Sequence, residues 1–152
     1  TCALGALYAG AETAQQETLA AYGHHIGTAF QVVDDLLDFL GDEQSTGKKT
    51  GNDFIEGKVT LPLLHALSRA DENKRREMEL LVLGDRTQPE AYNRLRTLIE
   101  RFDGFTTAAR TAQQLIQQAT AYLDVLPKHN VAARENGVLL KELAAYLLTR
   151  TK

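Results

Sequence analysis

The sequence is short of the residues that would commit it to most structural classes. Its 152 residues include one cysteine, three prolines, one methionine and no tryptophan. A single thiol, Cys2, cannot form an internal disulfide, so a disulfide framework is excluded and a reducing, cytoplasmic setting is expected. No apolar run approaches the ~20 residues that a membrane-spanning helix needs, and no signal peptide is visible. Alternating β-branched runs are absent, so no strand pattern competes with helix. The net charge of −3 leaves no basic footprint for nucleic acid. Hydrophobic residues nevertheless make up 43%, which excludes general disorder. One further absence is local: no lysine or arginine occurs between Thr1 and Thr46.

What is present reads as helix throughout, and an all-α antiparallel helix bundle is expected. Thr1 to about Glu12 is a small-residue helix, and Glu17 to about Leu40 a long central one. Gly41 to Thr60 is a polar connection. Helices follow at Leu61 to about Ala70, Asn73 to Leu83, Pro89 to about Phe102, Thr106 to Leu126 and Val131 to Thr149. Pro62 and Pro89 fall in first turns, where a missing N–H does no harm. Gly104 breaks the pattern before Thr106. In the last helix Leu139, Leu140, Leu143, Tyr146 and Leu147 are expected to face inward. The charge-rich run from Asp71 to Glu79 reads as a solvated helix face. No repeat, low-complexity tract or linker divides the chain.

The chain is organised around Gln31 to Asp38, QVVDDLLD. Ile26, Phe30, Val33, Leu37 and Leu40 alternate at spacings of four and three, and Ala29, Val32, Leu36 and Phe39 cover other sides. A helix apolar nearly all round is a buried helix. At about 100° per residue, Gln31, Asp34, Asp35 and Asp38 share one arc. Three carboxylates on one patch of a buried helix repel each other and must be paired, protonated or bound to metal. With no local cation to pair them, Mg²⁺ is the expected partner. This hard ion takes one or two carboxylates together with water and substrate phosphates.

The connection that follows, Gly41 to Thr60, is long for a compact domain and rich in glycine. Lys48 and Lys58 are expected to contact phosphate, and Lys49 to lie on a solvated turn. A P-loop is excluded. Gly41 and Gly47 are too far apart, Lys49 stands where Ser or Thr is required, and a helix precedes the loop. His24 and His25, being adjacent, point to different sides of a helix, and neither His65 nor His129 adds a metal-ligand spacing.

Carboxylates, Mg²⁺ and lysines imply a diphosphate substrate in an apolar setting. Phosphoryl transfer or hydrolysis would need a base to activate the nucleophile. Ionisation of an allylic diphosphate needs none at its first step, only stabilisation of the leaving diphosphate and dry walls around the cation. Scarce bases and apolar helices favour ionisation.

FQVVDDLLD, from Phe30 to Asp38, closely resembles the second aspartate-rich motif of trans-isoprenyl diphosphate synthases. GKKTGNDFIEGKVTLPLLHA, from Gly47 to Ala66, resembles that family's following block, and TCALGALYAGA the helix after its substrate-binding lysine. The resemblance implies the isoprenoid synthase bundle and elongation of an allylic prenyl diphosphate by isopentenyl diphosphate. It implies that Asp34, Asp35 and Asp38 hold Mg²⁺ against the allylic diphosphate and that Lys48 and Lys58 contact it. Phe30 and Gln31 match a pair lining the reaction site, and Thr1 a threonine of the substrate site. The Glu56–Leu64 form is most similar to the medium- and long-chain members that make quinone side chains, the octaprenyl type nearest. The family is usually homodimeric.

The family's first aspartate-rich motif, and the arginines near it that hold isopentenyl diphosphate, have no counterpart here. Residues 1–152 are therefore expected to be the C-terminal half of a synthase domain, inactive alone. Three rivals remain: a terpene cyclase, a non-catalytic subunit of a heteromeric synthase, and a helical scaffold binding Ca²⁺. An intact-mass measurement on the native protein, captured by antibody from its source cells, separates the synthase from the subunit. The synthase reading expects roughly twice the 16.8 kDa of this chain. A mass equal to the chain would point to a subunit.

Overall fold

The computed structural model describes residues 1–41, 50–127 and 131–149. Its regular elements are all helices: α1 (Cys2–Tyr8), α2 (Thr13–Leu40), α3 (Asn52–Glu56), α4 (Leu61–Arg69), α5 (Glu72–Leu83), α6 (Pro89–Arg101), α7 (Gly104–Asp124) and α8 (Val131–Thr149). None of them is long and apolar enough to cross a membrane. The all-α expectation holds. Several boundaries move for local reasons. Helix α1 closes at Tyr8, where Gly10 and Ala11 donate their N–H groups back to Leu7 and Ala6. The stretch read as a polar connection contains the short helix α3. Helix α5 starts at Glu72 because the Asp71 carboxylate accepts the Lys74 N–H at 2.9 Å, an N-cap. The charge-rich run is more than a solvated face: Glu77 takes Lys74 at 2.5 Å and reaches Arg94 of α6, also at 2.5 Å.

The described residues form two compact units. The first comprises residues 1–31 and 111–149. Tyr22, Ile26 and Ala29 of α2 pack with Ile116, Ala119 and Leu123 of α7 and with Leu140, Ala144 and Leu147 of α8. Tyr22 is buried, and its hydroxyl donates to the Leu140 carbonyl at 3.0 Å. Leu140 and Leu147 face inward as expected, but the rest of the expected face of α8 does not. Leu139, Leu143 and Tyr146 are exposed. The helix carries apolar residues on two faces, and the one with Leu140, Ala144, Leu147 and Leu148 meets α2 and α7. Periodicity alone could not choose between two rows with the same spacing.

The second unit, Val32–Arg110, is built on the end of α2 and on α3 to α6. Val33, Leu36 and Phe39 are buried, as are Leu63, Met78, Leu95, Leu98 and Ile99. Helix α4 packs against α5 and α6, and α5 against α6. Gly104 does not break a helix; it begins α7. It also lets the start of α7 approach the start of α4, since a Cβ at position 104 would lie 2.4 Å from the Pro62 carbonyl oxygen and 2.7 Å from Ile99 Cγ2. A backbone oxygen cannot step aside as a side chain can. Gly104→Ala should therefore destabilise the chain by about 2 kcal/mol or more, read as a lower urea midpoint at unchanged slope.

Candidate functional site

Asp34, Asp35 and Asp38 lie on the last turns of α2, and all three are half-buried. The neighbours that make this stretch helical also bury it: Val32, Val33, Leu36 and Phe39 are at most 6% exposed. Asp34 and Asp35 both make polar interactions. Asp38 has a defined set of partners. Its Oδ1 accepts the Asn52 N–H at 3.1 Å and its Oδ2 the Asp53 N–H at 3.1 Å. Its carbonyl accepts the Gly51 N–H at 2.8 Å and the Tyr92 hydroxyl at 3.3 Å. Burial pushes the Asp38 carboxyl above its usual range; the N–H groups of Asp53 and Asn52 oppose that shift, and the nearby Asp53 charge adds to it.

These bonds explain how α3 exists. Five residues are too few for an independent helix. Its N-cap is Gly51, which has no side chain to satisfy the free N–H groups. Asp38 supplies the missing acceptor from 14 positions upstream. Gly51 is required on two counts. Its φ is +84°, and a Cβ there would stand 3.0 Å from Cε2 of Tyr92. Tyr92 itself stacks on Phe39 at 5.8 Å and leans on Phe54 at 5.9 Å.

Lys58 follows α3 and is tied to it. Its N–H donates to the Asp53 carbonyl at 2.8 Å, and its ammonium reaches Asp53 Oδ1 at 3.0 Å and Glu56 Oε2 at 2.7 Å. Hydrogen bonds to Glu56 and then Asp53 hold that ammonium above its ordinary range. Asp53 is largely covered, its side chain 16% exposed, whereas that of Lys58 is 57% exposed.

The sequence-predicted residues therefore divide. Asp38 and Lys58 are brought into one network through Asp53. Lys48, with Lys49 and His129, lies outside the described residues. Thr1, Phe30 and Gln31 belong to the first unit and are exposed. Thr1 lines a cleft of about 480 Å³ with Cys2, Ala20, Gly23, His24 and Ile26. His25 is structural: its Nδ1 lies 2.8 Å from the Ala21 carbonyl and its ring 5.3 Å from Tyr122. Sequence reasoning passed over Asp53 and Tyr92. Asp53 could have been found from its place in the first turn of a glycine-flanked segment, five residues before a lysine. Nothing local marks Tyr92.

Among the described residues no three His, Cys, Asp or Glu side chains converge to hold a metal ion. Half-buried Asp34 and Asp35 still suit a hard cation that takes one or two protein carboxylates and completes its shell with water and phosphate. The all-oxygen donor set fits Mg²⁺ or Ca²⁺ and not a soft metal.

The polyprenyl synthetase family model matches residues 1–99. The chain is 34% identical to heptaprenyl diphosphate synthase component 2 of Geobacillus stearothermophilus, over 97% of this chain and 43% of that protein. It is 35% identical to the octaprenyl diphosphate synthase of Haemophilus influenzae, over 81% of this chain and 37% of that protein. It superposes with a TM-score of 0.83, at 32% identity, on a polyprenyl synthase of Caulobacter crescentus crystallised with calcium and isoprenyl diphosphate. That match covers 99% of this chain and 44% of the other. The chain thus spans about two fifths of the curated relatives it matches. The aspartate helix, the glycine-flanked α3 and the lysine tied to it all fall inside the matched residues, and the chain belongs to the polyprenyl synthetase family.

Proposed function

We propose that the chain supplies the allylic-diphosphate side of a trans-polyprenyl diphosphate synthase, as the C-terminal half of its domain. The observation that carries this reading is the half-buried aspartate patch at the end of α2, linked to a charged lysine within a few residues of structure. Asp34 and Asp35 would hold Mg²⁺ against the substrate diphosphate. When bound, that ion neutralises the leaving diphosphate as the allylic C–O bond breaks. Lys58 and Lys48 add positive charge on the same leaving group. The remaining allylic cation is captured by the double bond of isopentenyl diphosphate, and loss of a proton completes one elongation. Phe30, Gln31 and Thr1 line the substrate site in this reading. The product is a precursor of a quinone side chain, made in the cytoplasm by a homodimer.

A second reading has one observation in its favour. The Geobacillus relative is named as one component of a synthase. The protein that carries this chain could equally serve in a two-component assembly, with its catalytic role intact.

The test is Asp34→Ala in the native protein that carries this chain, with turnover of labelled isopentenyl diphosphate as readout and circular dichroism to confirm the fold. A catalytic role predicts a loss of about 100-fold or more. Chelation of Mg²⁺ should have the same effect on the unaltered protein. Unchanged turnover in Asp34→Ala would assign the chain a non-catalytic part.

A further inference from the structure

We propose that Asp38 is a positioning residue for Lys58, not a third metal ligand, which departs from the set implied by the family's aspartate motif. The inference deepens the synthase reading and rests on it.

Three observations carry the proposal. Both carboxylate oxygens of Asp38 are engaged by backbone N–H groups, of Asn52 and of Asp53, each at 3.1 Å. The main chain of Asp38 is held at the same junction, its carbonyl accepting the Gly51 N–H at 2.8 Å and the Tyr92 hydroxyl at 3.3 Å. The residue that Asp38 fixes is the one that holds the lysine. Asp53 binds Lys58 twice, by its carbonyl at 2.8 Å and by its carboxylate at 3.0 Å.

The physical argument follows the bonds in order. Gly51 cannot cap α3 with a side chain, so the first turn of α3 depends on Asp38. The negative charge of Asp38 also suits the positive end of the backbone dipoles there. With its N–H fixed, Asp53 presents a covered carboxylate at a set place. A free lysine side chain samples many rotamers, and holding its ammonium in one place before substrate arrives reduces what binding must order. Tyr92 supports the same junction from α6, through the Asp38 carbonyl and the face of Gly51. Removing the Asp38 carboxylate should therefore disturb Lys58 while leaving cation binding by Asp34 and Asp35 in place.

The decisive comparison sets Asp38→Asn and Asp38→Ala against Asp34→Asn and Lys58→Ala in the native protein. Asparagine keeps one acceptor oxygen and caps helix starts well, but is a poor ligand for Mg²⁺. Binding of Mn²⁺, as a spectroscopic stand-in for Mg²⁺, should weaken at least tenfold in Asp34→Asn and less than threefold in Asp38→Asn. Asp38→Ala should raise KM for the allylic diphosphate about as much as Lys58→Ala, with Asp38→Asn between wild type and Asp38→Ala. The double variant Asp38→Ala/Lys58→Ala should be no worse than Lys58→Ala. Hydrogen exchange at the Asn52 and Asp53 amides should quicken at least tenfold in Asp38→Ala, with Leu98 and Ile99 unaffected. Mn²⁺ binding lost equally in Asp38→Asn and Asp34→Asn would overturn the proposal, as would additive losses in the double variant or unchanged exchange. If Asp34→Asn affects neither Mn²⁺ binding nor turnover, the synthase reading fails instead, and the exchange result still decides whether Asp38 clamps α3.

Discussion

A carboxylate that leaves water must find donors, and this chain offers no cation before Lys48. Three aspartates near the end of α2 are half-buried under that constraint. The second unit is arranged around the answer. For Asp38 the donors are backbone N–H groups from a segment 14 and 15 positions later. Their supply requires that segment to turn, hence Gly51 at positive φ, and to begin a helix, hence α3. Tyr92 then closes the junction with its ring and hydroxyl. The hydrogen bonds satisfy the carboxylate, and the carboxylate in turn makes a five-residue helix possible.

Within the motif, Asp38 has a defined enclosure. Asp38 is enclosed by backbone donors, and burial is the largest influence on its carboxyl. Carboxylates that must exchange water and phosphate ligands need neighbours that do not lock them, whereas a capping carboxylate needs the reverse. On the roles proposed above, a motif of identical residues would hold unlike functions, and spacing alone does not separate them.

The helical class was legible in periodicity, and the family in two linked blocks, FQVVDDLLD and the stretch ending in LPLLHA. The burial of Val32, Val33, Leu36 and Phe39 beside the aspartates was legible as well, whereas Phe30 and Leu40, expected on the same buried helix, are exposed. The partners of Asp38 were not legible, since a hydrogen bond to a backbone N–H leaves no residue signature at the donor. The inward row of α8 was read only in part, for a related reason. Leu139, Leu143 and Tyr146 have the same spacing as Leu140, Ala144 and Leu147, and only the positions of Tyr22 and Ile116 decide between them. Gly104 was read as a break because glycine usually is one; its true constraint is the Pro62 carbonyl, 42 positions away in sequence and invisible to any local pattern.

The bonds between Asp38 and Gly51–Asp53 also make α3 and the last turn of α2 open together. Unfolding the five residues of α3 would strip a half-buried carboxylate of both its backbone donors, a penalty of about 1–3 kcal/mol or more for a charged group. A helix too short to hold itself is thus protected by a cost that falls on its neighbour.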